Sequence, residues 1–301
     1  MSGQVMTGTE LRVRAASVSP WVDATRAYIP RRPDPRIRWF LDANEGKPLP
    51  SVTEALRQAL AGERAGAGRV FSRYPSTVQL EELLAARWRV DPARLVVTAG
   101  GDDAISRVCM ARLAPGSRIL VHEPAFEMFG VYARLRGASV LPVRWLEGQP
   151  FPLDATVSPV RDDESVGIVT IVSPANPTGN EAGRSDVMAV ADACAGSGTA
   201  FIFDAAYGEY ADDDPTATLV DEGSAYVIRS FSKAYGMAGF RLGYVIAPDA
   251  LSATVLRAAG MPYPTSSLGV LAAIAALGDT DGVGRAIKLD RKSQRLTSSH
   301  E

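Results

Sequence analysis

Cysteine and histidine are both scarce in this chain, with two of each in 301 residues. Cys109 and Cys194 lie far apart in helix-like segments, and neither His122 nor His300 stands at a ligand spacing from them, so no C-x-x-C zinc site can be built. Two isolated thiols of this kind are expected to be reduced and buried. No run approaches the ~18 apolar residues that span a bilayer. The N-terminal "MSGQVMTGTELRVRAASVSP" lacks the apolar core of a secretory signal, which leaves the cytoplasm as the expected compartment. A net charge of -2 gives no global field toward nucleic acid or an anionic membrane. The one basic stretch, Arg26 to Trp39, is broken by prolines and reads as a solvated extended arm. Internal repeats and low-complexity tracts are missing as well.

Two enzyme classes lose their motifs. No G-x-x-x-x-G-K-[ST] occurs, and the Gly-Ala-Gly at 66–68 follows a helical pattern instead of a strand, so a nucleotide fingerprint is rejected. A Ser-His-Asp hydrolase would need His122 or His300. His300 is the penultimate residue, and His122 has no G-x-S-x-G partner.

What is present is an alternation. Hydrophobic residues make up 46% and charged residues 22%, the balance of a globular protein able to bury a substantial core. "LVVTA" (95–99), "SRILVH" (117–122), "SVLPV" (139–143), "VGIVTIVS" (166–173), "TAFIFD" (199–204) and "AYVIRSFS" (225–232) are short apolar runs separated by amphipathic helical stretches. Such runs imply an α/β fold, a mostly parallel sheet covered by helices on both faces, with function at the carboxyl ends of the strands. Helices are also expected over 50–62 and 77–88 before this core, and over 265–277 and 283–301 after it.

Three strand exits carry unusual polar residues. "VSPANPTGN" places Asn176 in a Pro-Thr-Gly turn; "FIFDAAYGEY" ends a strand on Asp204, with Tyr207 three residues on; "RSFSKAYG" ends another on Ser230, Ser232 and Lys233. An aspartate finishing an apolar run is costly unless a cation meets it. A lysine in such a place can act as nucleophile and base. Taken singly, each has a plain reading: Asp204 as a helix cap, Lys233 as a surface lysine, NPTG as a turn.

Their joint order is more specific. "NPTG", then "D-x-x-Y", then "SFSKAYGMAGFRLGY" resembles the class I/II (fold-type I) pyridoxal-phosphate aminotransferases, nearest the histidinol-phosphate aminotransferase branch. "LDANEG", "RYPS", "GGDDAI", "PAFEMFGVYA" and "PYPTSSLGVLAAIAAL" fall in the same order from about Leu41 to the chain end. The resemblance implies the cofactor pyridoxal 5'-phosphate. Lys233 would form a Schiff base with its aldehyde and later shuttle the substrate proton. Asp204 would pair with the ring nitrogen, Asn176 and Tyr207 with the ring oxygen, and Phe126 would stack on the ring face. Arg241, Ser230, Ser232 and the backbone N–H groups of Gly101 and Asp102 would hold the phosphate, with the Asp102 side chain acting as a helix cap. Tyr74 would reach a neighbouring copy's phosphate, making the active unit a homodimer.

The resemblance implies a small-molecule amino donor and a 2-oxo acid as partners, with histidinol phosphate and 2-oxoglutarate favoured, and neither nucleic acid nor membrane. A decarboxylase of a phosphorylated amino acid and a catalytically silent cofactor-binding protein are the alternatives. The expected division is an arm over 1–40, a cofactor-binding domain over 41–278, and over 279–301 the start of a smaller domain. The sequence stops before the family's C-terminal arginine that grips the substrate carboxylate, so weakened turnover is expected; one such contact is worth about 1.5–3 kcal/mol. "NEGKPLPS" departs from the family's usual spacing by adding Lys47, and Gly101 stands where a small hydroxyl residue or alanine is more usual.

Overall fold

The computed structural model describes residues 19–23, 36, 43–62 and 69–298, with side chains to residue 291. The basic arm, apart from position 36, and the glycine-rich 63–68 stretch lie outside the described residues, as does His300. Helices α1 (Pro20–Asp23), α2 (Pro50–Leu60), α3 (Arg69–Ser72) and α4 (Val78–Trp88) precede the sheet. Then β1 (Leu95–Thr98), α5 (Gly100–Arg112), β2 (Arg118–Glu123), α6 (Met128–Leu135), β3 (Ser139–Arg144) and α7 (Leu153–Asp162) follow in turn. The chain continues through β4 (Val166–Val172), α8 (Arg184–Ser197), β5 (Ala200–Asp204), α9 (Thr216–Glu222), β6 (Tyr226–Ser230) and β7 (Gly243–Ile246). Helices α10 (Ala250–Ala258), α11 (Ser267–Gly278) and α12 (Thr280–Ser298) close it.

The strands form one sheet in the order β1-β7-β6-β5-β4-β2-β3. Strands β2 to β6 pair in parallel, as expected, but β7 runs antiparallel to both β1 and β6. Side chains alternate across a strand, so successive apolar residues serve opposite faces. Val97, Leu120, Val169, Phe203 and Val227 enter one core with α4, α8 and α11. Val96, Ile119, Ile168, Ile202 and Ile228 enter the other with α5, α6 and α10. That division is why the strands read as unbroken apolar runs.

Both cysteines are buried and unpaired, and burial pushes each thiol up to about 12, so neither is a nucleophile at neutral pH. His122 is a core residue. Its Nδ1 donates to the Thr170 carbonyl (3.0 Å), its Nε2 lies 2.9 Å from the Thr156 hydroxyl, and burial lowers its pKa to about 4. Both ring nitrogens are committed to structure, which agrees with setting the hydrolase aside. Among the described residues, no helix is long and apolar enough to cross a membrane.

The junction of β1, β7 and β6 is tight. Gly243 faces Thr98 on one side and Ser230 on the other. An added Cβ there would lie 2.8 Å from the Arg229 carbonyl oxygen and 2.8 Å from the Gly100 carbonyl carbon. Backbone on both sides cannot yield as a flexible side chain would. Gly243→Ala is therefore expected to cost about 1–3 kcal/mol, read as a lower denaturant midpoint; an unchanged midpoint would mean that the three strands can spread.

Candidate active site

Register decides which residues meet. Val172 pairs with Asp204, and Asp204 pairs with Ile228, so β4 and β5 end level and β6 runs two residues further in the same direction. Asn176, Asp204, Tyr207, Ser230, Ser232 and Lys233 therefore leave the sheet along one edge. Because β7 is antiparallel, its beginning lies at that same edge, and Arg241 stands just before it. The exit of β1 at Thr98 faces Gly243, which brings Gly100 and Gly101 of α5 alongside.

At the β6 exit, the Ser232 N–H donates to the Ser230 hydroxyl oxygen (3.0 Å), and both serines are buried. The Lys233 Nζ donates to the Ala43 carbonyl (2.8 Å) and lies 5.4 Å from the centre of the Tyr207 ring. Asn44 Nδ2 donates to the Tyr207 hydroxyl (3.0 Å) from a left-handed backbone (φ 52°), a conformation asparagine tolerates better than most residues. Two glycines let this segment lie flat on the lysine turn. A Cβ on Gly46 would be 2.5 Å from the Lys233 carbonyl oxygen, and one on Gly236 (φ +63°) only 2.0 Å from that of Lys47. Sequence reading noted "LDANEG" but gave Ala43 and Asn44 no role at the lysine; nothing in their spacing announces it.

Asp204 is 5% exposed. The Ala206 N–H donates to its Oδ1 (3.0 Å), and among the described residues no salt-bridge partner meets it. Burial pushes its carboxyl up to about 6; the Asp102 charge adds to this, while Ala206, Arg229 and Lys233 oppose it. A carboxylate so placed is short of a cation.

Arg241 closes the other side, also with a left-handed backbone (φ 52°). Its Nη2 donates to Asp102 Oδ2 (3.1 Å), with both side chains substantially exposed. An ion pair this open is weak, and the guanidinium is accessible to a competing anion. Gly100 (φ +83°) keeps that space clear, since its Cβ would stand 3.0 Å from the same Nη2. The expected cap is corrected here: Asp103, not Asp102, accepts the Ala99 N–H at the start of α5 (2.8 Å). The Asp102 carboxylate meets Arg241 instead.

Two further expected residues pack against aromatic neighbours. Phe126 is half-buried with its ring edge-on to Phe129 (6.4 Å between centroids). Tyr74 is 78% exposed and lies parallel to Tyr263, ring centroids 4.3 Å apart. Asn176 lines a small recess with His122, Trp145 and Val172.

The family model of aminotransferase class I and II matches residues 40–301. The chain belongs to that family. Among curated relatives of this aminotransferase, the histidinol-phosphate aminotransferase of Halorubrum lacusprofundi is 35% identical over 263 residues, covering 86% of this chain and 69% of that protein. The one from Halobacterium salinarum is 34% identical over 293 residues, covering 90% and 76%. Among solved structures, the histidinol-phosphate aminotransferase of Sinorhizobium meliloti, in complex with pyridoxal-5'-phosphate, superposes with a TM-score of 0.80 at 26% identity, covering 94% of this chain and 77% of that one. An aspartate aminotransferase variant from Thermus thermophilus shares the fold at a TM-score of 0.77.

The aminotransferase is thus a pyridoxal-phosphate enzyme, and its residues fit that cofactor. A buried, cation-deficient Asp204 suits a protonated ring nitrogen, the Lys233 amine an aldehyde, and the open Arg241 guanidinium a phosphate.

The Asp204 carboxyl carries a stability consequence. Unfolded, it titrates near about 3.9; folded, near about 6. The native state then binds the extra proton between those values, so stability falls as pH rises from about 4 to 6 and stays low above. In the cofactor-free enzyme, Asp204→Asn is expected to raise unfolding free energy by about 2–3 kcal/mol at pH 8, with the gain vanishing near pH 3. His122 has the opposite sign, losing stability as pH falls from its unfolded value through about 4, but it is common to both proteins and cancels in the comparison. Equal melting temperatures at pH 8 would contradict the assignment.

Proposed function

We propose that this aminotransferase moves the amino group of histidinol phosphate to 2-oxoglutarate. The observation that carries the reading is the presence, at neighbouring exits of parallel strands, of a buried Asp204 without a salt-bridge partner and of the Lys233 amine. The names of the relatives supply the substrate. Bound pyridoxal phosphate supplies an aldehyde for the amine and an electron sink for the substrate carbon.

In this reading, the Lys233 Nζ would hold the cofactor through its aldehyde carbon, and the same amine would take the proton of the substrate carbon and return it. To do so it must leave the Ala43 carbonyl, which its four-carbon stem allows. The Asp204 carboxylate holds the proton on the ring nitrogen, and the ring's charge in turn relieves the buried carboxylate. Tyr207 and Asn176 hydrogen-bond the ring oxygen, and Phe126 covers a ring face. Arg241, Ser230, Ser232 and the N–H groups of Gly101 and Asp102 grip the phosphate, aided by the start of α5.

Residues 41–278 form the cofactor-binding domain and 279–301 begin the smaller one. The exposed Tyr74–Tyr263 stack is the contact offered to a second copy, which makes the working unit a homodimer. A cytoplasmic location completes the proposal.

Pyridoxal phosphate added to the purified protein is expected to give visible absorbance and an adduct trapped by borohydride at Lys233, both lost in Lys233→Ala. Histidinol phosphate should bleach that absorbance and 2-oxoglutarate restore it. Bleaching by other amino donors but not by histidinol phosphate would overturn the substrate. Carbon dioxide release would make the enzyme a decarboxylase.

A further inference from the structure

Arg229 is a charged residue one position from the end of β6, yet only 3% of its side chain is exposed. The strand alternation sends it to the sheet face opposite Ile228. There its Nη2 donates to Glu209 Oε1 (2.7 Å), its Nη1 donates to Asp214 and to the Thr216 hydroxyl (3.1 Å), and its guanidinium carbon lies 5.1 Å from the Trp88 ring centre. Burial works against its charge, but Glu209, Tyr244 and Asp214 together hold the proton firmly. This guanidinium grips the loop that leaves β5 at two points, Glu209 near its middle and Asp214 near its end. The same loop carries Tyr207. Gly208, the next residue, comes down so closely that a Cβ on it would stand 2.4 Å from Arg229 Nη1. The backbone adds a second tie, with the Ala205 N–H donating to the Ile228 carbonyl (2.9 Å) and the Tyr210 N–H to that of Tyr207 (2.8 Å).

We infer that Arg229 is a positioning residue: by drawing Glu209 and Asp214 down around Gly208, it sets the height of the loop and so the place of the Tyr207 hydroxyl beside Lys233. The inference rests on the reading that Tyr207 hydrogen-bonds the cofactor's ring oxygen. Lysine at 229 would keep the charge but lose the fork that bridges two carboxylates. Alanine at 208 would keep Arg229 and push the loop away from it.

The test uses the 301-residue protein loaded with pyridoxal phosphate, following visible absorbance against pH. A hydrogen bond to the charged ring oxygen favours the deprotonated form, so its loss raises the midpoint. Arg229→Lys and Gly208→Ala are each expected to raise it by about one pH unit, as is Tyr207→Phe. Arg229→Lys added to Tyr207→Phe should raise it no further, since both act through one contact. Gly208→Ala carries the test if the lysine variant does not fold. Variants that melt earlier but keep the wild-type midpoint would make Arg229 a support of the fold only and overturn the inference. An additive shift in the double variant would overturn it too, by showing that Arg229 acts elsewhere than through Tyr207. Wild-type protein that takes up no colour would instead refute the cofactor reading on which the inference stands.

Discussion

A carboxylate desolvated at the end of a sheet strand is expensive, and the site is arranged around that expense. Asp204 is held by the backbone of β5 in a place where water cannot reach it, one N–H donor being its direct relief. Burial alone would drive it toward the neutral acid. What keeps such a residue useful is a ligand that brings a positive charge, and the cofactor of this family brings one at its ring nitrogen. The folded enzyme is therefore least comfortable at the point where it binds.

Topology supplies the other half of the cradle proposed for that ligand. Parallel strands β4, β5 and β6 deliver their exits to a single edge, but a phosphate site on the far side needs a cation arriving from the opposite direction. The reversal of β7 provides it, since an antiparallel strand begins where its neighbours end. Arg241 sits at that beginning, with α5 starting opposite across Gly100 and Gly243. The close backbone approach at these two glycines is the geometric condition for phosphate donors from β1, β6 and β7 to converge.

The sheet's other face holds a second electrostatic centre with a different job. Arg229, Glu209 and Asp214 form a buried charged group in which each carboxylate answers the guanidinium. Such groups rarely add stability over an apolar core of the same volume, and their value lies in fixing geometry. The loop they fix carries Tyr207. Between those two carboxylates, Arg291 of α12 donates to the Tyr210 carbonyl and to Asp212 (3.2 Å). Residues outside the proposed site thus hold one within it.

The short, mostly unbroken apolar runs were enough to place six strands and a mostly parallel α/β sheet, because the central strands meet a helix layer on each side. The polar exits at 176, 204, 207, 230, 232 and 233 stood out in the sequence because a polar or charged residue ending an apolar run breaks its pattern. Three matters were beyond the sequence. The direction of β7 depends on a short return after Lys233, and four apolar residues look alike read either way. The capping of α5 turned on which of two adjacent aspartates reaches back over the helix start, a difference of one residue in a turn. Ala43 and Asn44 lie far from Lys233 and Tyr207 along the chain, and a carbonyl or an amide leaves no mark in composition or periodicity. Residue type and alternation thus decided what chemistry the chain could carry and on which strands. Only the packed sheet, through register and close backbone approach, decided which of those groups share one volume, because contacts between distant segments are set by three-dimensional fit and not by local pattern.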